Sequence, residues 1–317
     1  MSWLAVPGLC QIWAMQVTLT VPTQPHRFYD GGLPATDTTP QVPPDRDAEP
    51  RIVIERLTEA GAEIWQLDRR IAYADREYGE LLVPADLTAF RTDLASVPAV
   101  FTWLVPKTGT HLPAALVHDG LVKGPGSPGY LSTDGHVILR ADADRVLRDA
   151  MADTGTGVVR RWLVWSAVTA WTMIEGTGTG WSTLLRWRYR LAAVLTILAV
   201  LYLGYCATFD LFDLATPLTI PVPWMGDRPW WAELLGGFAG AVAVPLALGL
   251  TWGRFRKAGV VAAIVLAMLI HVTIGIVLIS LGYTVLERLA RAAPSVAVAA
   301  STAIAVASVL VVALSFV

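Results

Sequence analysis

Cysteine is almost absent from this 317-residue chain, with only Cys10 in an apolar leader and Cys206 in an apolar run. Two thiols so placed build no disulfide framework and no cysteine-based metal site, and they suit a reducing compartment. Net charge is nearly missing too, at −2, so bulk electrostatics give no reason to expect a nucleic-acid partner. The first twenty residues, MSWLAVPGLCQIWAMQVTLT, are apolar but lack a basic start, and Pro7 interrupts them. A secretory signal needs a positive beginning and a small-residue cleavage site, and neither is clear. From Met15 the stretch MQVTLTVP alternates as a strand does. A strand, or a start placed upstream of the native one so that residues 1–14 are extraneous, is the expectation.

Charge is scarcest in the second half. Of 24 basic and 26 acidic residues, only eleven fall between Leu191 and Val317. The split predicts a water-soluble N-terminal part and a membrane-embedded C-terminal part. Leu191–Phe209 and Leu234–Trp252 carry no formal charge, Ala258–Leu286 is longer, and Ala292–Val317 closes the chain. Each reaches the roughly 20 residues that cross a hydrocarbon core, so four spans and an all-α transmembrane bundle over 181–317 are expected. Arg186, Arg188 and Arg190 precede the first span, and Arg254, Arg256 and Lys257 separate the second from the third. The intervening connector holds Asp210, Asp213 and Asp227 against Arg228. The positive-inside rule then puts the N-terminal domain and the C-terminus in the cytoplasm. Glu287, Arg288 and Arg291 oppose this only slightly. Trp224, Trp230 and Trp231 suit the headgroup boundary.

The soluble part divides by composition. Residues 22–50 hold seven prolines and read as an extended loop, so 1–50 is taken as leader and loop. From Arg51, the runs RIVIERL, AEIWQLDRRIAYAD and GELLVPADL are short and β-rich, separated by Gly and acidic turns. They predict a small antiparallel sheet. Helices follow over LPAALVHDGLV, with Pro113 near its start, over RADADRVLRDAMADTG, with Gly155 as a stop, and over VVRRWLVWSAVTAWTMIEG. This is an α+β domain over 51–180 with about three helices.

Polar groups that could carry chemistry are Asp93, Ser96, His111, His118, Asp119, Asp142 and Asp144. A His beside an Asp can ligate a divalent metal, or the carboxylate can orient the imidazole as a base. Neighbours on a helix point about 100° apart, so only a site at the helix edge could use both. His111 and His118 would share a face on one helix, but Pro113 argues against continuity. Plain structural roles compete. Asp93 and Ser96 fit a strand-to-helix junction, Asp119 a cap or an Arg partner, and Asp144 a pair with Arg140 or Arg148. No Ser-His-Asp spacing, phosphate loop or paired-Cys motif is present. In the apolar half, His271 stands alone without an acidic partner, and a helix–helix hydrogen bond or a backbone carbonyl contact is expected for it. Gly236 with Gly240, and Ala297 with Ser301 and Ala305, are small-residue faces suited to close packing within the bundle or between copies as a homo-oligomer.

VPADLTAFRTDLASVP, then GTHLPAALVHD, then ADRVLRDAM and RRWLVWSAVTAWTMIEG resemble, in order, the blocks of the domain of unknown function 1353, a family of bacteria and tailed phages. The resemblance spans about residues 60–176. Its recurring polar positions fall on Thr92, Asp93, Ser96, His118, Asp119 and Asp144. Gly120 stands where an aromatic residue is usual, and Ala99 where a basic one is frequent. The family brings no assigned activity.

The leading expectation is a cytoplasmic α+β domain held at the inner membrane by four helices. Asp93, His118, Asp119 and Asp144 would hold a divalent metal for hydrolysis, and His118, Asp119 or Asp93 would take a proton from water. A non-catalytic assembly module recruiting a phage-like or defence-related protein partner is the alternative. A pore-forming effector is the third.

Overall fold

A computed structural model describes residues 27–35, 40–59, 62–94, 102, 104–214 and 216–314. The leader, the strand expected from Met15, Ser96 and Ala99 lie outside the described residues. Six strands and seven helices follow in order: β1 (Phe28–Asp30), β2 (Ile54–Glu59), β3 (Ala62–Leu67), β4 (Ile71–Asp75), β5 (Gly79–Val83), α1 (Leu112–Lys123), β6 (Leu131–Ser132), α2 (Arg140–Asp153), α3 (Val158–Glu175), α4 (Thr183–Leu211), α5 (Trp230–Leu250), α6 (Arg256–Ala292) and α7 (Pro294–Leu314).

The expected antiparallel sheet is two sheets. Four strands run in the order β1-β4-β5-β6, and β2 and β3 form a separate hairpin. β4 is central in the larger sheet and nearly all buried, so its residues IAYAD read as a continuous apolar run rather than an alternation. Ile71, Tyr73, Leu81 and Val83 from this sheet pack with Leu116 and Leu121 of α1 and Val146 and Leu147 of α2 in one core. The proline-rich stretch differs from its expectation as a loop. Phe28, Tyr29 and Asp30 are buried and pair with β4 in the register Tyr29↔Ala72. The Arg69 guanidinium, Nε 2.6 Å from Asp30 Oδ1, holds that carboxyl below its ordinary value against the opposing effect of burial. The domain thus includes residues before Arg51.

Gly120 explains its own departure from the family pattern. A Cβ there would stand 2.5 Å from Val83 Cγ1 and 3.1 Å from the Gly129 carbonyl oxygen. The glycine lets α1 lie directly on β5. Gly120→Val is expected to destabilise the domain by about 1–3 kcal/mol, the range for overpacking a filled core. A drop in the first thermal transition checks this.

α3 has two apolar stripes. Val164 and Val168, one turn apart, pack against the core of the domain. Trp165 and Met173 belong to a second cluster with Tyr189 and Ala193 of α4, Trp252 after α5 and Ala258 of α6. The helix expected to complete the soluble domain is therefore also the joint to the apolar helices.

Three segments among the described residues are long and apolar enough to cross a membrane: Thr183–Leu211, Trp230–Leu250 and Gly253–Ala292. α7 follows as a further helix of 21 residues packed on α6. α6 has 37 residues, about 55 Å at 1.5 Å per residue, against a hydrocarbon core of about 30 Å. Its first turns account for part of the excess by packing on α3.

The small residues act differently from their expectation. A Cβ on Gly236 would stand 2.9 Å from the Trp224 carbonyl carbon, and one on Gly240 would stand 2.6 Å from Trp224 Cε2. That face is covered by the connector's own tryptophan rather than by another helix. Close helix approach occurs instead at Gly249 and Gly259, where α5 and α6 meet. On α7, Ala297 is buried while Ser301 and Ala305 are exposed.

Candidate functional site

α1 begins at Leu112, with His111 at its N-cap and Pro113 in the first turn, so His111 and His118 do not share a helix. His111 is buried, and its Nε2 lies 2.9 Å from the Pro106 carbonyl oxygen. A carbonyl only accepts, so Nε2 carries the proton, and Nδ1 has no partner among the described residues. Burial pushes the imidazole below its ordinary value of 6.5; the Pro106 carbonyl opposes this and Arg160 adds to it. The folded state therefore binds this proton less readily than the unfolded chain. The stabilisation is complete above about pH 6.5 and is lost as pH falls towards the folded value. Thermal melts over a series of pH values check this: His111→Gln is expected to flatten the acid-side fall in Tm.

His118 lies on α1 itself, and its Nε2 is 2.9 Å from Asp144 Oδ1 of α2. The side chains are 15% and 2% exposed, so the carboxylate is the buried member and the imidazole reaches the surface. An ionised carboxylate accepts only, so Nε2 donates, and the neutral imidazole keeps Nδ1 as a bare acceptor. This is the orientation a carboxylate gives to a histidine base.

Asp144 differs from the other buried carboxylates of the domain. Asp75 is gripped by Arg145 at 3.1 Å and by the amides of Glu77 and Tyr78. Burial alone would raise its carboxyl, and these donors outweigh burial to hold it below its ordinary value. Asp153 takes Tyr73 and both terminal nitrogens of Arg76. Asp144 Oδ2, by contrast, is buried with no hydrogen-bond partner among the described residues. Nor does Asp144 pair with the arginines at helical spacing. Arg140 goes to Glu175 at 2.7 Å, and Arg148 to Asp149 with its guanidinium 5.2 Å from the Trp165 ring.

Arg140 and Arg148 thus tie α2 to α3, which packs against it. The hydroxyls of Thr169 and Ser166 are likewise buried without partners. Sequence reasoning did not single them out, because a hydroxyl on an apolar helix carries no local signal. All three oxygens belong to α2 and α3, and buried polar atoms ordinarily have a hydrogen-bond partner.

The remaining candidates make contacts of their own. Asp119 is turned to Lys123, 3.5 Å away one turn along α1. Asp142 sits in the first turn of α2, where a carboxylate favours the helix dipole. Thr92 bridges to Trp65 through both backbone groups, and its hydroxyl accepts from the amide of Leu94, whose φ is 73°. Asp93 lies between them, and α1 begins well downstream. Among the described residues, no group of three or more His, Cys, Asp or Glu is gathered as a metal would need.

Among the described residues, two of the cavities lie away from this pair, and neither is lined by His118 or Asp144. One of about 390 Å³ in the domain is bordered by Arg27, Glu49, Thr110 and Asp153. The other, about 340 Å³ between α4, α5 and α6, is lined by apolar residues with Glu233 and His271. His271 Nε2 lies 2.6 Å from Thr208 Oγ1, whose own proton goes to the Gly204 carbonyl at 2.7 Å. The imidazole therefore donates from α6 to α4, a helix–helix hydrogen bond as expected.

No curated protein and no solved structure matches the chain. Residues 65–168, from β3 into α3, match the family described as protein of unknown function (DUF1353), so the resemblance read from the sequence holds for the domain and stops short of the apolar helices.

Proposed function

We propose that the chain is a membrane-anchored hydrolase of the bacterial inner membrane, with His118 as general base and Asp144 as the residue that positions it. The observation that carries this is the 2.9 Å bond from His118 to a buried carboxylate whose second oxygen has no partner. Water at Nδ1 would lose a proton to the imidazole and attack an ester or related electrophile, and Asp144 would stabilise the imidazolium. With α4, α5 and α6 as spans and α7 as a fourth crossing, the basic residues in the first turns of α4 and α6 support a cytoplasmic domain and C-terminus.

Of the four residues expected around a metal, His118 and Asp144 share a hydrogen bond, and Asp119 is turned to Lys123. Two protein ligands are fewer than a structural or catalytic zinc uses, and the pair suits a metal-free base better. A second reading is favoured by the position of Asp119 on Lys123. In it, His118–Asp144 is a clip between α1 and α2, and the domain is a tethered assembly module. A panel of chromogenic carboxylic and phosphate esters, presented to the full-length protein in detergent, separates the two. Turnover that disappears in His118→Ala with an unchanged melting profile supports the hydrolase. Absence of turnover across the panel favours the module. Metal analysis of the same preparation tests the four-residue cluster: a stoichiometric divalent ion that leaves with His118→Ala restores Asp93 and Asp119 to the site.

A further inference from the structure

Where the apolar helices meet the domain, three rings close on one another. Trp181 of the linker before α4, Tyr189 of α4 and Phe255 of the turn between α5 and α6 have centroids 4.7, 5.7 and 5.2 Å apart. All three are largely buried, so the cluster is a rigid platform. Two guanidiniums lie on its rim. Arg254 is 4.7 Å from the Phe255 centroid and 5.7 Å from that of Trp181. Arg188 is 6.0 Å from the Tyr189 centroid, and its Nη2 is 3.7 Å from where a Cβ on Gly253 would stand, so it reaches the residue next to Arg254.

Most arginines of the domain that point at a neighbour meet a carboxylate: Arg69, Arg76, Arg140 and Arg145 all do. Arg188 and Arg254 are exposed and form no ion pair among the described residues, and the same holds for Arg256 and Lys257 beside them. Arg190, in the same stretch, is committed differently and donates to the carbonyls of Ile174 and Glu175 at the end of α3. Two neighbouring guanidiniums repel each other. Aromatic faces offset part of that, and an anion bound between them offsets the rest. The planar donor fork of arginine matches phosphate oxygens bidentately. The place is the end of three membrane-length helices, and Trp187 and Leu184 nearby are exposed at 52% and 83%, as residues that enter the headgroup region are.

We propose that Arg188 and Arg254 form a binding site for the phosphate of an anionic phospholipid in the leaflet facing the domain. The proposal rests on the membrane-spanning reading of α4, α5 and α6. Through the ring platform and α3, such a lipid would also brace the domain against the bilayer.

The test uses the full-length protein in mild detergent with an equal mixture of phosphatidylglycerol and phosphatidylcholine of the same acyl chains, read by native mass spectrometry. Phosphatidylglycerol is expected to be retained over phosphatidylcholine by about tenfold, a difference of about 1.4 kcal/mol. The double variant Arg188→Gln/Arg254→Gln is expected to bring the two lipids to parity with helicity and Tm unchanged. Arg288→Gln/Arg291→Gln, which removes the same charge at the far end of α6, is expected to keep the preference. Equal retention by the native protein, a preference surviving in the first double variant, or a preference lost equally in both double variants overturns the site. Loss of phosphatidylglycerol to excess inorganic phosphate also overturns it, because the site then takes a soluble anion. Alkaline carbonate extraction of membranes tests the anchoring itself. Protein that washes off contradicts the spans, an outcome distinct from a pelleted protein with no lipid preference.

Discussion

Asp144→Asn is expected to lower turnover of the best ester substrate by about 10⁴-fold, while Tm stays level or rises. The first part follows from hydrogen-bond direction. A carboxylate at 2.9 Å accepts from His118 Nε2 and leaves Nδ1 bare. An asparagine amide can donate instead, which moves the proton to Nδ1 and removes the base; changes of this kind in histidine–carboxylate sites cost about 10⁴ in kcat. The second part follows from burial. Asp144 is 1% exposed and one of its oxygens has no partner among the described residues. A buried charge left partly unsatisfied costs stability, so a neutral isostere relieves that cost. Asp144→Ala differs, because it empties the position and leaves the His118 donor unpaired, at about 1–3 kcal/mol. Ester turnover and thermal melts on the three proteins separate the roles. If His118–Asp144 is only a clip, neither Asn nor Ala changes any reaction.

Gly249→Val is expected to remove the packed bundle altogether. A Cβ at this position would stand 2.6 Å from the Gly259 carbonyl carbon and from Val260 Cα, and closer still to the Val260 amide nitrogen. These are backbone atoms of a neighbouring helix, so no rotamer change relieves the contact. α5 and α6 must separate, and with them Trp252, which is 1% exposed and packs on Gly259. Trp252 also donates to Thr196 of α4 at 3.0 Å, so the disturbance reaches a third helix. Losing the packing of one buried tryptophan costs about 3–5 kcal/mol, a large share of a typical 5–15 kcal/mol. Limited proteolysis and thermal melts in detergent check it. A native-like pattern in Gly249→Val would place the close crossing elsewhere.

Much of the domain was legible because its punctuation is strong. Pro113 lies in the first turn of α1, Gly155 follows the end of α2 at φ 71°, and Gly176 caps α3 at φ 70°. Each residue does locally what its backbone preference dictates. β1 was hidden because seven prolines surround or follow it, and pairing with β4 over Phe28–Asp30 is a tertiary effect. α3 was legible as a helix of the soluble domain, whereas only the packing shows that its second stripe belongs with the apolar helices. The partner of Asp144 was hidden for a similar reason. Arg140 and Arg148 sit at helical spacing, whereas His118 lies 26 residues away on another helix. The Thr92 hydroxyl makes a local turn with the amide of Leu94, whereas His118 and Asp144 are joined across two helices.

The account turns on a bare Nδ1 at His118, and that atom can be observed. Selectively ¹⁵N-histidine-labelled full-length protein in detergent, with His118 assigned through His118→Gln, reports which ring nitrogen carries the proton at neutral pH. The expected result is a protonated Nε2 and an unprotonated Nδ1, with the order reversed in Asp144→Asn. A native His118 protonated at Nδ1, or one whose state is unchanged in Asp144→Asn, would contradict the proposed base.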